Sequence, residues 1–423
     1  MKVLLIGKHP RTGGAAIASS RLLEALKQEG VEAKMLVQEG ADEASGIYST
    51  THGKFKHWLN FLRFVVERLV FLPRERSKNI RFLFSLANTG ESISRNALVR
   101  EADIIHLHWI NAGFLSLNSL KELLSSGKPV VWTFHDMWPF TGGCHYALEC
   151  KEYTRSCGHC PYLKKPGAGD LSHRTWKKKE LRFRKGKFTV ITPSKWMNEC
   201  VRASSLLQHS QVHTIHNPVD ESVFQPAGRK ESCASLGLDP EKKYILFGAA
   251  TVKNVMKGYP YFMEAIGNLS GKVDKDQVEI ILFGKTRGGV ADSFPLTTRN
   301  IAFVHSVETL VQLYSVAHLF VIPSLQDNLP NTIIESMLCG TPVVGFKTGG
   351  IPEMIEHKVN GYLADYKSSA DLAEGMQWIL SSESYDKLST ETREIALNRF
   401  SKKESVEAHI TLYNSMMDKS SAT

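Results

Sequence analysis

No apolar run in this chain of 423 residues reaches the roughly 18–20 residues that span a bilayer. The opening residues, Met1 to Gly7, read as a strand rather than a signal peptide, so a cytoplasmic protein is expected. The strict G-x-G-x-x-G dinucleotide fingerprint is missing, because Gly7 to Gly14 carries no such spacing. No D-x-D stands in a suitable loop, so a metal-binding carboxylate pair would lack its usual third partner. No internal repeat is visible. Cysteine is sparse, at seven residues, but four of them fall in Cys144–Cys150 and Cys157–Cys160. Without a secretion signal, clustered cysteines favour a metal over disulfides.

Positive charge is abundant. The net charge is +9 with a pI near 9.0, which suits an anionic partner: nucleic acid, anionic lipid or a phosphate-bearing substrate. Basic residues crowd Lys54 to Arg81 and again Lys177 to Lys187. The first cluster interleaves with Trp58, Phe61, Leu62, Val65 and Leu69, the pattern of a basic amphipathic helix. Such a helix either packs on its own domain with solvated cations or touches an anionic membrane surface, and its spacing does not separate the two.

Short, near-continuous apolar runs alternate with longer periodic segments from end to end, as in parallel strands covered on both faces. Runs such as Val3–Gly7, Ile104–His108, Val130–His135, Ile301–Phe303, Leu319–Ile322 and Val343–Phe346 are expected strands. The fold class is therefore α/β, doubly wound, in two domains of roughly 150–200 residues each. The Asn- and Pro-rich stretch Ile215 to Asp220 marks the join. This places one domain at 1–218 and the other at 219–402, with a helix at 403–418 able to pack back on the first.

Five constellations could carry chemistry. Gly13 and Gly14 stand between the first strand and the first helix, where free amides can meet a phosphate, although glycine also serves tight turns without a ligand. His135 ends a strand, and Asp136 could orient it or bind a hydroxyl; His106 and His108 read as packing or edge residues. Cys144, Cys150, Cys157 and Cys160 could close a structural zinc site, with reduced thiols or redox-labile pairing as alternatives. Lys257 with Gly258 opens a helix in the second half, where a diphosphate could sit, or is surface decoration. Asp327 and Glu335, eight positions apart, straddle Pro330, which puts Asp327 on a loop and Glu335 in the following helix. Acid–base, metal and hydroxyl-binding roles are all open to this pair, and hydroxyl recognition fits best.

Together these segments resemble the retaining nucleotide-sugar glycosyltransferases of family 4, over nearly the whole chain. The Asp327–Glu335 spacing is similar to that family's E-x7-E signature, with Asp in the first acidic place. The resemblance implies the GT-B fold, two Rossmann-like domains facing a cleft. By it, Glu335 would accept hydrogen bonds from the donor ribose, and Asp327 with the amides of Asn328 to Asn331 would face the donor sugar. Lys257 would hold the diphosphate, Gly13 and Gly14 would lie at its other side, and His135 would lie near donor sugar and acceptor. The family's usual Arg after the glycine of the second domain's first strand is absent, since Ala249 follows Gly248, leaving Lys253 or Arg287 as the second cation.

The stretch Trp132 to Cys160 resembles a subgroup from bacterial exopolysaccharide, capsule and O-antigen gene sets that shares the four cysteines. The expected activity is metal-independent transfer of a sugar from a nucleoside-diphosphate sugar to a lipid-linked or saccharide acceptor, with peripheral contact to the cytoplasmic membrane. The rivals are a nucleotide-sugar epimerase of the same fold and a basic lipid- or nucleic-acid-binding protein. No RNA-binding signature appears, and carboxylates at the site would repel a phosphate backbone, so no nucleic-acid partner is expected.

Overall fold

The computed structural model describes residues 1–184, 186–285, 293–301, 304 and 306–421. The chain forms two α/β units: Met1–His216 with the C-terminal segment from Ser405, and Asn217–Glu404.

Unit 1 contains strands β1 (Lys2–Gly7), β2 (Glu32–Val37), β3 (Ile47–Ser49), β4 (Ile104–Leu107), β5 (Val130–Thr133), β6 (Thr189–Thr192) and β7 (Val212–Thr214). They form one parallel sheet in the order β3-β2-β1-β4-β5-β6-β7. Both faces are buried, so successive residues of β1 enter different cores. Leu4 and Ile6 pack with Ile105, Leu107 and Trp132, whereas Val3 and Leu5 pack with Leu22, Leu26, Val406 and Tyr413. The last two belong to the C-terminal helix Lys402–Ser421, which thus completes one face of the sheet.

Unit 2 contains β8 (Lys243–Thr251), β9 (Val278–Lys285), β10 (Thr298–Ile301), β11 (Leu319–Ile322), β12 (Val343–Phe346) and β13 (Gly361–Ala364), parallel in the order β10-β9-β8-β11-β12-β13. This is the doubly wound Rossmann order. The same alternation divides its cores: Leu246, Phe320 and Ile322 on one side, Ile245, Phe247, Leu319 and Val321 on the other.

Some expected boundaries shift. Strand β5 stops at Thr133 and β4 at Leu107, so His135 and His108 lie on the loops just beyond the carboxyl edge. Strand β10 ends at Ile301, and positions 302 and 303 of the expected Ile301–Phe303 strand lie outside the described residues.

Candidate nucleotide-sugar site

In unit 2, strands β8 and β11 are neighbours whose chain connections leave toward opposite edges of the sheet. A crevice opens at the carboxyl ends of such a strand pair, and open α/β sheets bind ligands there. The loops following these two strands carry Lys257 and Asp327.

After β8 the chain makes a short turn, Val255–Lys257, started by Asn254, whose Oδ1 accepts from the Met256 amide at 2.9 Å. Gly258 follows with φ 73°, and a Cβ there would stand 1.7 Å from the Pro323 carbonyl oxygen. Only glycine permits this approach of the β8 loop to the end of β11. The Leu325 amide then donates to the Met256 carbonyl at 2.9 Å. With the loops docked in this way, Lys257 Nζ donates to Asp327 Oδ2 at 2.5 Å, and Ser324 Oγ donates to the same oxygen at 3.2 Å. The turn after β12 closes the group: a Cβ on Gly349 would lie 2.0 Å from the Asp327 carbonyl oxygen, and the Gly350 amide donates to that oxygen at 3.0 Å.

Pro330 precedes the helix Asn331–Leu338 with an extended backbone, as the missing N–H of proline allows. Asn331 Oδ1 accepts from Asn217 Nδ2 at 3.0 Å, tying the helix start to the segment where unit 2 begins. Asn328 is buried beside it. Glu335 lies in the second turn and is buried, with Oε2 accepting from the Tyr314 hydroxyl at 3.1 Å. Lys253 is exposed on the turn ahead of Asn254. Arg287 lies outside the described residues.

In unit 1, Gly13 takes φ 93° and opens the helix Gly14–Gln28; apart from the adjoining backbone, no atom of the described residues lies within 4 Å of where a Cβ on either glycine would stand. His135 Nε2 is 3.0 Å from His108 Nδ1, with the two rings stacked. Burial lowers His135 to about 4, so the imidazole is neutral near pH 7. His106 lies behind His108, its Nδ1 2.6 Å from the Tyr413 hydroxyl and its Nε2 2.7 Å from Thr133 Oγ1. Asp136, in the loop after β5 and expected to orient His135 or bind a hydroxyl, has several partners. Its Oδ2 accepts from Trp109 Nε1 at 3.0 Å and lies 2.8 Å from His145 Nδ1, while Oδ1 accepts from the Trp138 amide at 2.8 Å. Those partners fix the loop after β5, and His108 is a neighbour of His135. The alternation His106-x-His108 at the end of β4, the strand beside β5, was the signal for this contact.

Cys144, Cys150, Cys157 and Cys160 all line one cavity of about 20 Å³. All four are free thiols, and Cys157 Sγ accepts from the Gly142 amide at 3.1 Å. Among the described residues no group of three or more His, Cys, Asp or Glu side chains is set to hold a metal ion, so the thiols share a cavity without forming a ligand shell.

The family described as Glycosyltransferase Family 4 matches residues 12–223, and that described as Glycosyl transferases group 1 matches residues 242–382. The chain belongs to glycosyltransferase family 4. This family-4 chain is 28% identical over 184 residues to the D-inositol 3-phosphate glycosyltransferase of Mycobacterium sp. (strain KMS), covering 41% of this chain and 40% of that one. It thus spans about two-fifths of the length of that curated relative. The protein of the same description from Pseudarthrobacter chlorophenolicus is 24% identical over 381 residues, 86% of this chain and 81% of that one. The structure of Anabaena Alr3699/HepE in complex with UDP and glucose matches with a TM-score of 0.64 at 17% identity, over 98% of this chain and 100% of that one. That likeness shows the GT-B fold of two Rossmann-like domains.

Proposed function

We propose that the chain transfers a sugar, with retention of anomeric configuration, from a nucleoside-diphosphate sugar to a saccharide or lipid-linked acceptor. The observation that carries this reading is the Lys257–Asp327 pair at the junction of β8 and β11. A diphosphate arriving there competes with Asp327 for the ammonium group. The freed carboxylate can then accept from a donor-sugar hydroxyl. Lys257, with the N-termini of the helices Tyr259–Leu269 and Asn331–Leu338, offers fixed positive charge to the leaving diphosphate as the C1–O bond breaks and its electron pair passes to the phosphate oxygen. The acceptor oxygen bonds to C1 on the same face, and its proton goes to the departing phosphate. Glu335 is assigned to the ribose hydroxyls, Asn328 and Asn331 to the donor loop, and Lys253 to the diphosphate. In unit 1, Gly13 and Gly14 are assigned to the phosphate side, and neutral His135 to a sugar hydroxyl.

The Trp132–Cys160 stretch, by its resemblance, supports a role in cell-surface polysaccharide synthesis at the cytoplasmic face of the membrane. The descriptions of the curated relatives favour a second reading in which the acceptor is an inositol phosphate. Product analysis with each acceptor class distinguishes the two.

Glu335→Ala tests the site. Charge-assisted hydrogen bonds to two ribose hydroxyls contribute about 3 kcal/mol together, so donor affinity should fall roughly 100-fold. Near wild-type turnover in this variant removes Glu335 from the site.

A further inference from the structure

The helix Gly53–Phe71 in unit 1 is packed inside out. Its buried residues are Asn60, Glu67, Arg68 and Phe71, three of them polar. Glu67 is fully buried: Oε1 accepts from the amides of Leu86 and Ala87 at 2.9 and 3.2 Å, and Oε2 from the Gly113 amide at 3.1 Å. Arg68 donates to the carbonyls of Arg81 and Phe84 and to Glu67. The opposite face stands in solvent, with Phe55 74% exposed, Trp58 57%, Phe61 60% and Leu69 57%; nearby, Phe82 is 65% exposed. Trp58, Leu62 and Leu69 follow helical spacing, so this is a continuous apolar face rather than scattered residues. Anchoring a helix through buried charges while exposing its aromatics costs stability unless something covers the apolar side.

Charge identifies the cover. Lys54, Arg74, Arg76 and Lys78 are exposed around this face. The two carboxylates between Gly53 and Phe82, Glu67 and Glu75, are both buried. An aromatic face rimmed by these exposed cations, with the partly exposed carboxylate of Glu39 beside His57 near the start of the helix, complements an anionic bilayer surface, with the rings in the headgroup layer and the cations on lipid phosphates. Two copies of the face would instead bring like charges together.

We propose that the Gly53–Phe71 helix docks this protein in the plane of an anionic membrane. The proposal extends the reading of a membrane-tethered acceptor, but its test needs neither donor nor acceptor. The full chain is floated with vesicles of phosphatidylcholine alone or with one quarter phosphatidylglycerol, at low and at 0.5 M salt. Binding is expected to the anionic vesicles, to weaken with salt, and to fall at least tenfold in Phe55→Ser/Trp58→Ser/Phe61→Ser and in Lys54→Glu/Arg76→Glu/Lys78→Glu. These are exposed positions, and unchanged thermal midpoints should show that both variants remain folded. No binding to anionic vesicles at low salt, or wild-type binding by the folded serine variant, overturns the proposal. A dimer that the serine substitutions dissociate, without flotation of the wild type, also overturns it and marks a face between copies. Sugar transfer to a soluble saccharide without flotation would reject membrane docking while leaving the transfer reading intact.

Discussion

Burial holds His106, His108, His135 and His409, all in unit 1, below the ordinary imidazole range. Their folded forms are neutral, whereas the unfolded chain protonates them near pH 6.5. Between pH 6.5 and 4 the unfolded state therefore binds more protons, so their contribution to stability is full above pH 6.5 and declines as pH falls toward 4. The thermal midpoint of unit 1 should drop between pH 7 and pH 5; an unchanged midpoint contradicts the buried neutral cluster. At the four cysteines, a structural zinc requires the sulfurs to draw in from the cavity wall onto one ion. Buried Lys179 donates through Nζ to the carbonyls of Trp138 and Thr141. Elemental analysis of protein purified without added metal tests the zinc expectation; about one zinc per chain would show that the four sulfurs close onto an ion. No zinc together with four titratable thiols in Cys144, Cys150, Cys157 and Cys160 removes that reading. Lys257, Asp327 and Glu335 could be singled out in the sequence because each follows a buried apolar strand in a local pattern of Gly, Pro or Asn. Tyr314 and Asn217 could not, since each meets its site partner only through the fold.

The Lys257 and Asp327 loops meet because two turns contain glycine where no side chain fits. Gly258→Ala would push a Cβ into the Pro323 carbonyl at a positive φ. Stability is expected to fall by about 2–4 kcal/mol by denaturant unfolding, with loss of donor binding. A fully stable variant that binds donor normally contradicts the docked geometry. Strands β11 and β12 were legible to the residue, being short apolar runs bounded by turn residues. Strands β3 and β13 were not. The first is three residues at a sheet edge, and the second begins at Gly361, where the Val343 carbonyl oxygen would lie 2.3 Å from a Cβ. The periodicity of Gly53–Phe71 showed two faces but not which one is buried, because the groups that hold Glu67 come from residues 86, 87 and 113.

At the scale of the whole molecule, each unit builds its own parallel sheet, and candidate site side chains such as His135 and Asp327 follow the carboxyl ends of strands. The C-terminal helix completes unit 1 through Val406, Leu412 and Tyr413, and the Tyr413 hydroxyl reaches His106 across 307 positions of sequence. Such a contact cannot be read locally; the alternation of strands and helices could be, and it carried the fold class. In the proposed transfer, Lys257 in unit 2 receives the diphosphate of a sugar nucleotide. Titration calorimetry of UDP-, GDP- and ADP-sugars into the full chain and into Lys257→Ala tests it most directly. Saturable binding of at least one nucleotide class to the wild type is expected, weakened at least tenfold by the substitution. Equal affinity in the two proteins, or no binding of any diphosphate sugar to the wild type, contradicts it.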